Sequence, residues 1–104
     1  MTPQEREDFY DREVAPVLMD IAKKCQDNGL SITTMVEWDP GETGRTAALT
    51  AEAGFGIRMA EAAMQARGNV DSLIGAIMGY AKDRGHSSVF LKQLGVPLTN
   101  GDRK

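Results

Sequence analysis

The chain predicts an α+β fold dominated by helices. Three observations carry that class. Apolar residues recur at helical spacing from Tyr10 to Cys25. The run Leu30 to Trp38 switches to a period of two and is rich in β-branched residues. Beyond the turn Asp39-Pro40-Gly41, helical spacing returns in Ala- and Gly-rich sequence and continues to Leu94. The expected architecture is a kinked N-terminal helix, one strand or a β-hairpin at about residues 30–51, then two or three C-terminal helices.

Thr2-Pro3-Gln4-Glu5 reads as a helix start. Thr2 caps, Pro3 suits the first helical position and Glu5 completes a capping box. The stripe that follows is Tyr10, Val14, Val17, Leu18, Ile21 and Cys25, widened by Phe9 and Ala22. Pro16 interrupts it without shifting its phase. The expectation is one kinked helix, or two in near-continuity, over about residues 3–28. Asn28-Gly29 is the stop, since both residues tolerate the left-handed conformation.

In the next run Ile32, Thr34, Val36 and Trp38 alternate with Thr33, Met35 and Glu37, as in a strand with one buried face. Pro40 and Gly41 force a turn, and Gly44 offers a second flexible point. Arg45 to Ala51 is either a return strand, with Ala47, Leu49 and Ala51 on one face, or an extended loop. A helix is expected from Gly56 to Arg67, with Ile57, Ala60, Ala63 and Met64 inward. The next spans Val70 to Arg84, capped by Asn69 or Asp71, with Val70, Leu73, Ile74, Ile77 and Ala81 inward. Ser87 or Ser88 caps a last short helix bearing Val89, Phe90, Leu91 and Leu94.

With 104 residues the expectation is a single compact domain over 1–97 and a flexible tail over 98–104. Charge is uneven. Residues 1–43 carry ten acidic and four basic side chains, net −6, and residues 44–104 carry five and eight, net +3, which together give the −3 of the chain. The simplest meaning is solvated helix faces. An acidic face and a basic face for different partners is the other. Cys25 is the single cysteine, so no internal disulfide can form, and its place on the apolar stripe suits a small buried hydrophobe. The N-terminus is acidic and lacks an apolar run, and no apolar stretch approaches the roughly 18 residues of a membrane span. A soluble protein of the cytoplasm is expected, with no membrane contact.

No motif carries a reaction. Gly41 with Gly44-Arg45-Thr46 resembles part of a phosphate-binding loop, but Asp39 stands where the first Gly belongs and Arg45 replaces the Lys. Gly54-Phe55-Gly56 begins a dinucleotide fingerprint, and Met59 stands at its third Gly. His86 is the only histidine, and one His with one distant Cys cannot supply a metal's N/S set. No catalytic residue, metal ligand or cofactor is assigned. Gly75 and Gly79 share one helix face and together cost about 2 kcal/mol against Ala. A close helix packed on them would compensate, either segment 60–66 of the same chain or a homodimer seam.

The segments Asp39-Pro40-Gly41-Glu42-Thr43-Gly44-Arg45-Thr46, Gly54-Phe55-Gly56-Ile57-Arg58-Met59-Ala60, Gly68-Asn69-Val70-Asp71-Ser72-Leu73-Ile74 and Gly85-His86-Ser87-Ser88 span about residues 30–96. In them the chain resembles small uncharacterised proteins of tailed phages and prophages. The resemblance implies expression in a bacterial host and a role in modulating a host or phage protein. It supplies no mechanism.

The leading expectation is a non-enzymatic protein that binds a protein partner through the turn, with Trp38, Asp39, Glu42 and Arg45 as contact residues. One alternative is a nucleic-acid-associated regulator using Arg58, Arg67, Lys82, Arg84 and Lys92. The pI of 5.1 and the acidic first helix argue against it. The other is a small enzyme centred on His86 with Glu37, Asp39 and Glu42. Trp38 is either a core anchor of the turn or its foremost contact residue.

Overall fold

The computed structural model describes residues 1–98. The fold is α+β and mostly helical, with one two-stranded antiparallel hairpin. The sequence places residues 1–97 in one domain; the contacts group the chain into two compact units, Met1–Gly68 and Asn69–Lys104. The tail expected over 98–104 lies, from residue 99 onward, outside the described residues.

The first unit opens with a helix of 25 residues. It comprises α1 (Pro3–Phe9), a π-helical segment (Tyr10–Val14) and α2 (Ala15–Asp27). The capping box forms as expected: the Glu5 N–H donates to Thr2 Oγ1 at 3.1 Å, and the Thr2 N–H donates to Glu5 Oε1 at 3.0 Å. The π segment is the answer to Pro16. Proline has no N–H, and in a regular α-turn its ring collides with the carbonyl four residues back. Here the turn before it is wider, and the Ala15 N–H reaches back to the Tyr10 carbonyl.

That wider turn also corrects the expected stripe. It inserts one extra residue, so burial downstream moves by one position. Tyr10 and Ala22 are buried, and Val14, Leu18 and Cys25 are half-buried. Val17 and Ile21 are instead exposed, at 53% and 42%. The phase does shift at the proline, contrary to the sequence reading. The helix ends in a Schellman motif, with Gly29 at φ +73° and the Leu30 N–H donating to the Cys25 carbonyl at 2.8 Å.

Strand β1 (Ile32–Asp39) pairs antiparallel with β2 (Glu42–Ala48). The return strand is therefore real, but it starts three residues before the expected Arg45. Pro40-Gly41 is the entire turn, and φ of +81° at Gly41 after a proline is the type II pattern. The register shifts between Glu37 and Asp39, which makes Trp38 a bulge. Gly44 is a strand residue opposite Val36, and no second hinge exists there.

Pairs Val36–Gly44, Thr34–Thr46 and Ile32–Ala48 share one face of the hairpin, which lies against the N-terminal helix. Pairs Glu37–Thr43, Met35–Arg45 and Thr33–Ala47 share the other. Helix α3 (Phe55–Ala66) covers part of that second face, because its Glu61 bonds both Thr33 and Arg45. The hairpin is thus held between two helices. Ala47, expected to share one face with Leu49 and Ala51, is exposed, and Leu49 and Ala51 lie beyond the strand.

The segment between β2 and α3 is tied down by polar groups. Ser31 Oγ accepts from the Thr50 N–H at 3.0 Å, and Arg58 donates to the carbonyls of Ala53 and Thr50 at 3.1 and 3.2 Å. Helix α3 does not bury the expected Ala60 and Ala63, both exposed. Its inward line is Ile57, Glu61 and Met64. The charged Glu61 occupies the central place because three donors meet it there.

In the second unit, α4 (Val70–Arg84) is capped by Asn69, whose Oδ1 accepts from the Ser72 N–H at 2.9 Å. Ala81 is fully buried, with Leu73, Ile77 and Tyr80 half-buried along the same line. Val70 and Ile74, expected inward, are exposed at 64% and 44%. Ser88 caps the short helix α5 (Val89–Gln93), donating no charge but accepting from the Leu91 N–H at 3.2 Å. Leu91 turns inward from α5, while Val89, Phe90 and Leu94 face outward. Val96, only 1% exposed, closes the unit's small core.

Candidate partner-binding site at the hairpin tip

The turn residues are held in place by the first two turns of the N-terminal helix. Arg6 does most of this. Its Nε donates to the Trp38 carbonyl at 2.6 Å, its Nη1 to the Met1 carbonyl at 2.7 Å, and its Nη2 stands 3.6 Å from Asp39 Oδ1. One guanidinium so satisfies the carbonyl of the bulge and the carboxylate beside the turn. One helical turn on, the ring of Tyr10 packs on that of Trp38, with centroids 5.0 Å apart and planes tilted by 33°. The Tyr10 ring also lies on Gly44, where a β-carbon would come within 2.6 Å of Cε2. Glycine is required at 44 for this close approach and not for a turn.

These contacts sort the four expected contact residues. Trp38 is half-buried against Tyr10, so it anchors the tip. Asp39 is half-buried and paired with Arg6. The Glu42 side chain is exposed, with no hydrogen bond or ion pair among the described residues, and Pro40 and Gly41 are exposed beside it. Glu37 is exposed too, its carboxylate accepting from the Gly41 N–H at 3.3 Å. Trp38, Asp39 and Glu42 do come together at the tip. Arg45 belongs to a different cluster.

Arg45 forms a salt bridge with Glu61 of α3 through Nη1 and Oε1. Gln65 Nε2 donates to the same oxygen at 3.0 Å, and Thr33 Oγ1 donates to Oε2 at 2.5 Å. A carboxylate 12% exposed thereby has both oxygens engaged, which is the condition for burying a charge. Arg45 ties α3 to the sheet and is a structural residue before it is a contact residue. Sequence reasoning missed Glu61 and Arg6 alike. An isolated Glu in an Ala-rich helix, or an Arg among acids in a first turn, looks like solvated surface. The one available signal was spacing, because Ile57, Glu61 and Met64 fall four and three apart.

The tip's charge is negative. Glu37 and Glu42 face solvent there, and the helix end that Arg6 fastens to the tip adds Glu5. The carboxyl of Glu5 titrates below its ordinary value, held ionised by the Thr2 backbone N–H and then by the Thr2 side chain.

His86 sits within the second unit with both ring nitrogens engaged. The Ser88 N–H donates to Nδ1 at 2.9 Å, and Nε2 lies 3.0 Å from the Val96 carbonyl. A nitrogen that accepts from an amide carries no proton, so the neutral Nε2–H tautomer fits both bonds. The ring bridges α5 and the segment that follows. Gly75 and Gly79 stand on an open stretch of α4: an added β-carbon meets nothing within 4 Å among the described residues of this unit. Among the described residues no group of three His, Cys, Asp or Glu side chains is arranged to hold a metal ion, and no helix is long and apolar enough to cross a membrane.

No family model, curated protein or solved structure matches the chain.

Proposed function

We propose that this chain is a small non-enzymatic interaction protein whose hairpin tip engages a protein partner. The setting is the cytoplasm of a bacterial host, and the partner is a host or phage protein, as the resemblance to small tailed-phage and prophage proteins implies. The observation that carries the reading is the division of labour at the tip. Arg6, Tyr10 and Gly44 fix the backbone around Trp38, while Glu37, Pro40, Gly41 and Glu42 are left to solvent. A braced, exposed turn loses little conformational freedom on binding, which favours affinity.

The internal use of basic groups argues for this reading over nucleic-acid binding. Arg45 is spent on Glu61, Arg58 on backbone carbonyls, and Arg84 lies 5.5 Å above the Tyr80 ring. The acidic tip repels phosphate. A reaction centred on His86 is disfavoured by the two backbone partners of its ring.

Affinity capture tests the proposal, using wild type, Glu42→Lys at the tip and Lys24→Glu on the exposed helix surface as control. The expected result is a protein retained by wild type and by Lys24→Glu, and lost with Glu42→Lys. Equal capture by all three overturns it.

A further inference from the structure

We propose that His86 is a pH-sensitive clasp: its neutral ring holds the second unit shut, and a proton on Nδ1 opens it. The proposal concerns the second unit alone and is independent of the partner at the hairpin tip.

Residue 86 is joined to the rest of its unit at three points. The ring Nδ1 accepts from the Ser88 N–H at 2.9 Å, and Nε2 stands 3.0 Å from the Val96 carbonyl. The His86 backbone N–H donates to the Leu98 carbonyl at 2.8 Å. Ser88 is the N-cap of α5, its hydroxyl accepting from the Leu91 N–H. Val96, almost fully buried, is tied back to α5 by its own N–H, which donates to the Leu91 carbonyl at 2.9 Å. One imidazole therefore bridges the start of α5 and the buried residue that follows its end.

The bridge requires one protonation state. An amide N–H only donates and a carbonyl only accepts, so Nδ1 must present a lone pair and Nε2 a hydrogen. The imidazolium carries a hydrogen at both positions. Its Nε2 keeps the bond to Val96, but the new Nδ1–H faces the Ser88 N–H, a donor against a donor. The ring is rigid, so it cannot turn away from Ser88 without leaving Val96. Either Ser88 moves and α5 loses its cap, or Val96 is released and the small core opens. The ring's bonding partners among the described residues are backbone groups alone. The charged side chains of the helices on either side are Lys82, Asp83 and Arg84 in the last turn of α4 and Lys92 on α5, and none bonds to the ring. Imidazole ordinarily changes charge between about pH 5 and 8, so mild acid is the opening signal.

The test follows the whole chain through that range by NMR. His86 is the only histidine, so the signals of its ring nitrogens are unambiguous. The proposal expects a hydrogen on Nε2 and none on Nδ1 at the alkaline end. As Nδ1 gains its proton, exchange of the Ser88 and Val96 amides, corrected for the intrinsic effect of pH, should rise roughly tenfold with the same midpoint, the scale of one lost hydrogen bond. His86→Asn separates the proton from the bond, because its Oδ1 takes the place of Nδ1 before Ser88 and does not titrate. This variant gives up the Val96 bond, so its exchange is faster throughout, but the dependence on pH disappears. The match of midpoints in the wild type decides the matter even where the variant does not fold. A hydrogen on Nδ1 at the alkaline end overturns the proposal. So does ring protonation that leaves both amides unchanged, an opening whose midpoint differs from that of the ring, or a pH dependence that survives in His86→Asn.

Discussion

The ring of Tyr10 lies in the space that a β-carbon on residue 44 would fill. This one relationship joins the N-terminal helix to the hairpin and places Trp38 beside both. A methyl group at 44 forces the ring off its seat and loosens its stack on Trp38. Gly44→Ala should destabilise the first unit by about 2 kcal/mol, the usual scale for overpacking. Thermal unfolding followed by the fluorescence of the single Trp38 reads this directly. Unchanged stability would mean that the helix does not rest on the strand at this point.

Glu61 should behave as a shared acceptor and not as a surface charge. Glu61→Ala leaves Arg45, Thr33 and Gln65 without their common partner and should cost about 2 kcal/mol. Arg45 is 40% exposed, so solvent screens its part of the interaction. A double-mutant cycle with Arg45→Ala should therefore return a coupling of only about 1 kcal/mol. A coupling near zero would place the two side chains apart in solution.

The helix start should titrate. The carboxyl of Glu5 is held below its ordinary value by the Thr2 backbone and side chain. A depressed folded-state value means that the contribution is present above the unfolded value, about 4.3. It is lost as the pH falls through the folded value. A carboxyl-carbon NMR titration should find the Glu5 midpoint below the ordinary range, and Thr2→Ala should raise it. An unshifted midpoint would mean that the capping box is open.

Gly75 and Gly79 make the opposite prediction to Gly44. Both sit inside α4, and an added β-carbon meets nothing within 4 Å in that unit. Replacing either with Ala should stabilise the helix by about 0.5–1 kcal/mol. A loss of stability, or a changed oligomeric mass, would show that another helix covers this face.

The class of fold was legible because it rests on local pattern. The Thr2-Pro3-Gln4-Glu5 start, the period-two run to Trp38, and the stops at Asn28-Gly29 and Gly85 are all short-range signals. They formed as expected. The misses have two sources, a local widening of the first helix and contacts between residues far apart in the chain. Val17 and Ile21 were expected inward because the extra residue of the π segment leaves no mark beyond Pro16 itself. Gly44 reads as a hinge until Tyr10 is known to lie on it. Glu61 reads as solvent-facing until Arg45, Thr33 and Gln65 are seen to converge. At the tip, the sequence located the turn but could not separate Trp38 and Asp39, which contact the N-terminal helix, from the exposed Glu42.

A photoreactive amino acid placed at residue 42, and in a control chain at residue 24, tests in cells producing the protein whether the braced tip is where a partner binds. Binding through the tip predicts one crosslinked protein species from position 42 and none of it from position 24. Its yield should fall when Gly44→Ala loosens the brace. Crosslinking that is equal from both positions, or absent from position 42, would contradict binding through the tip.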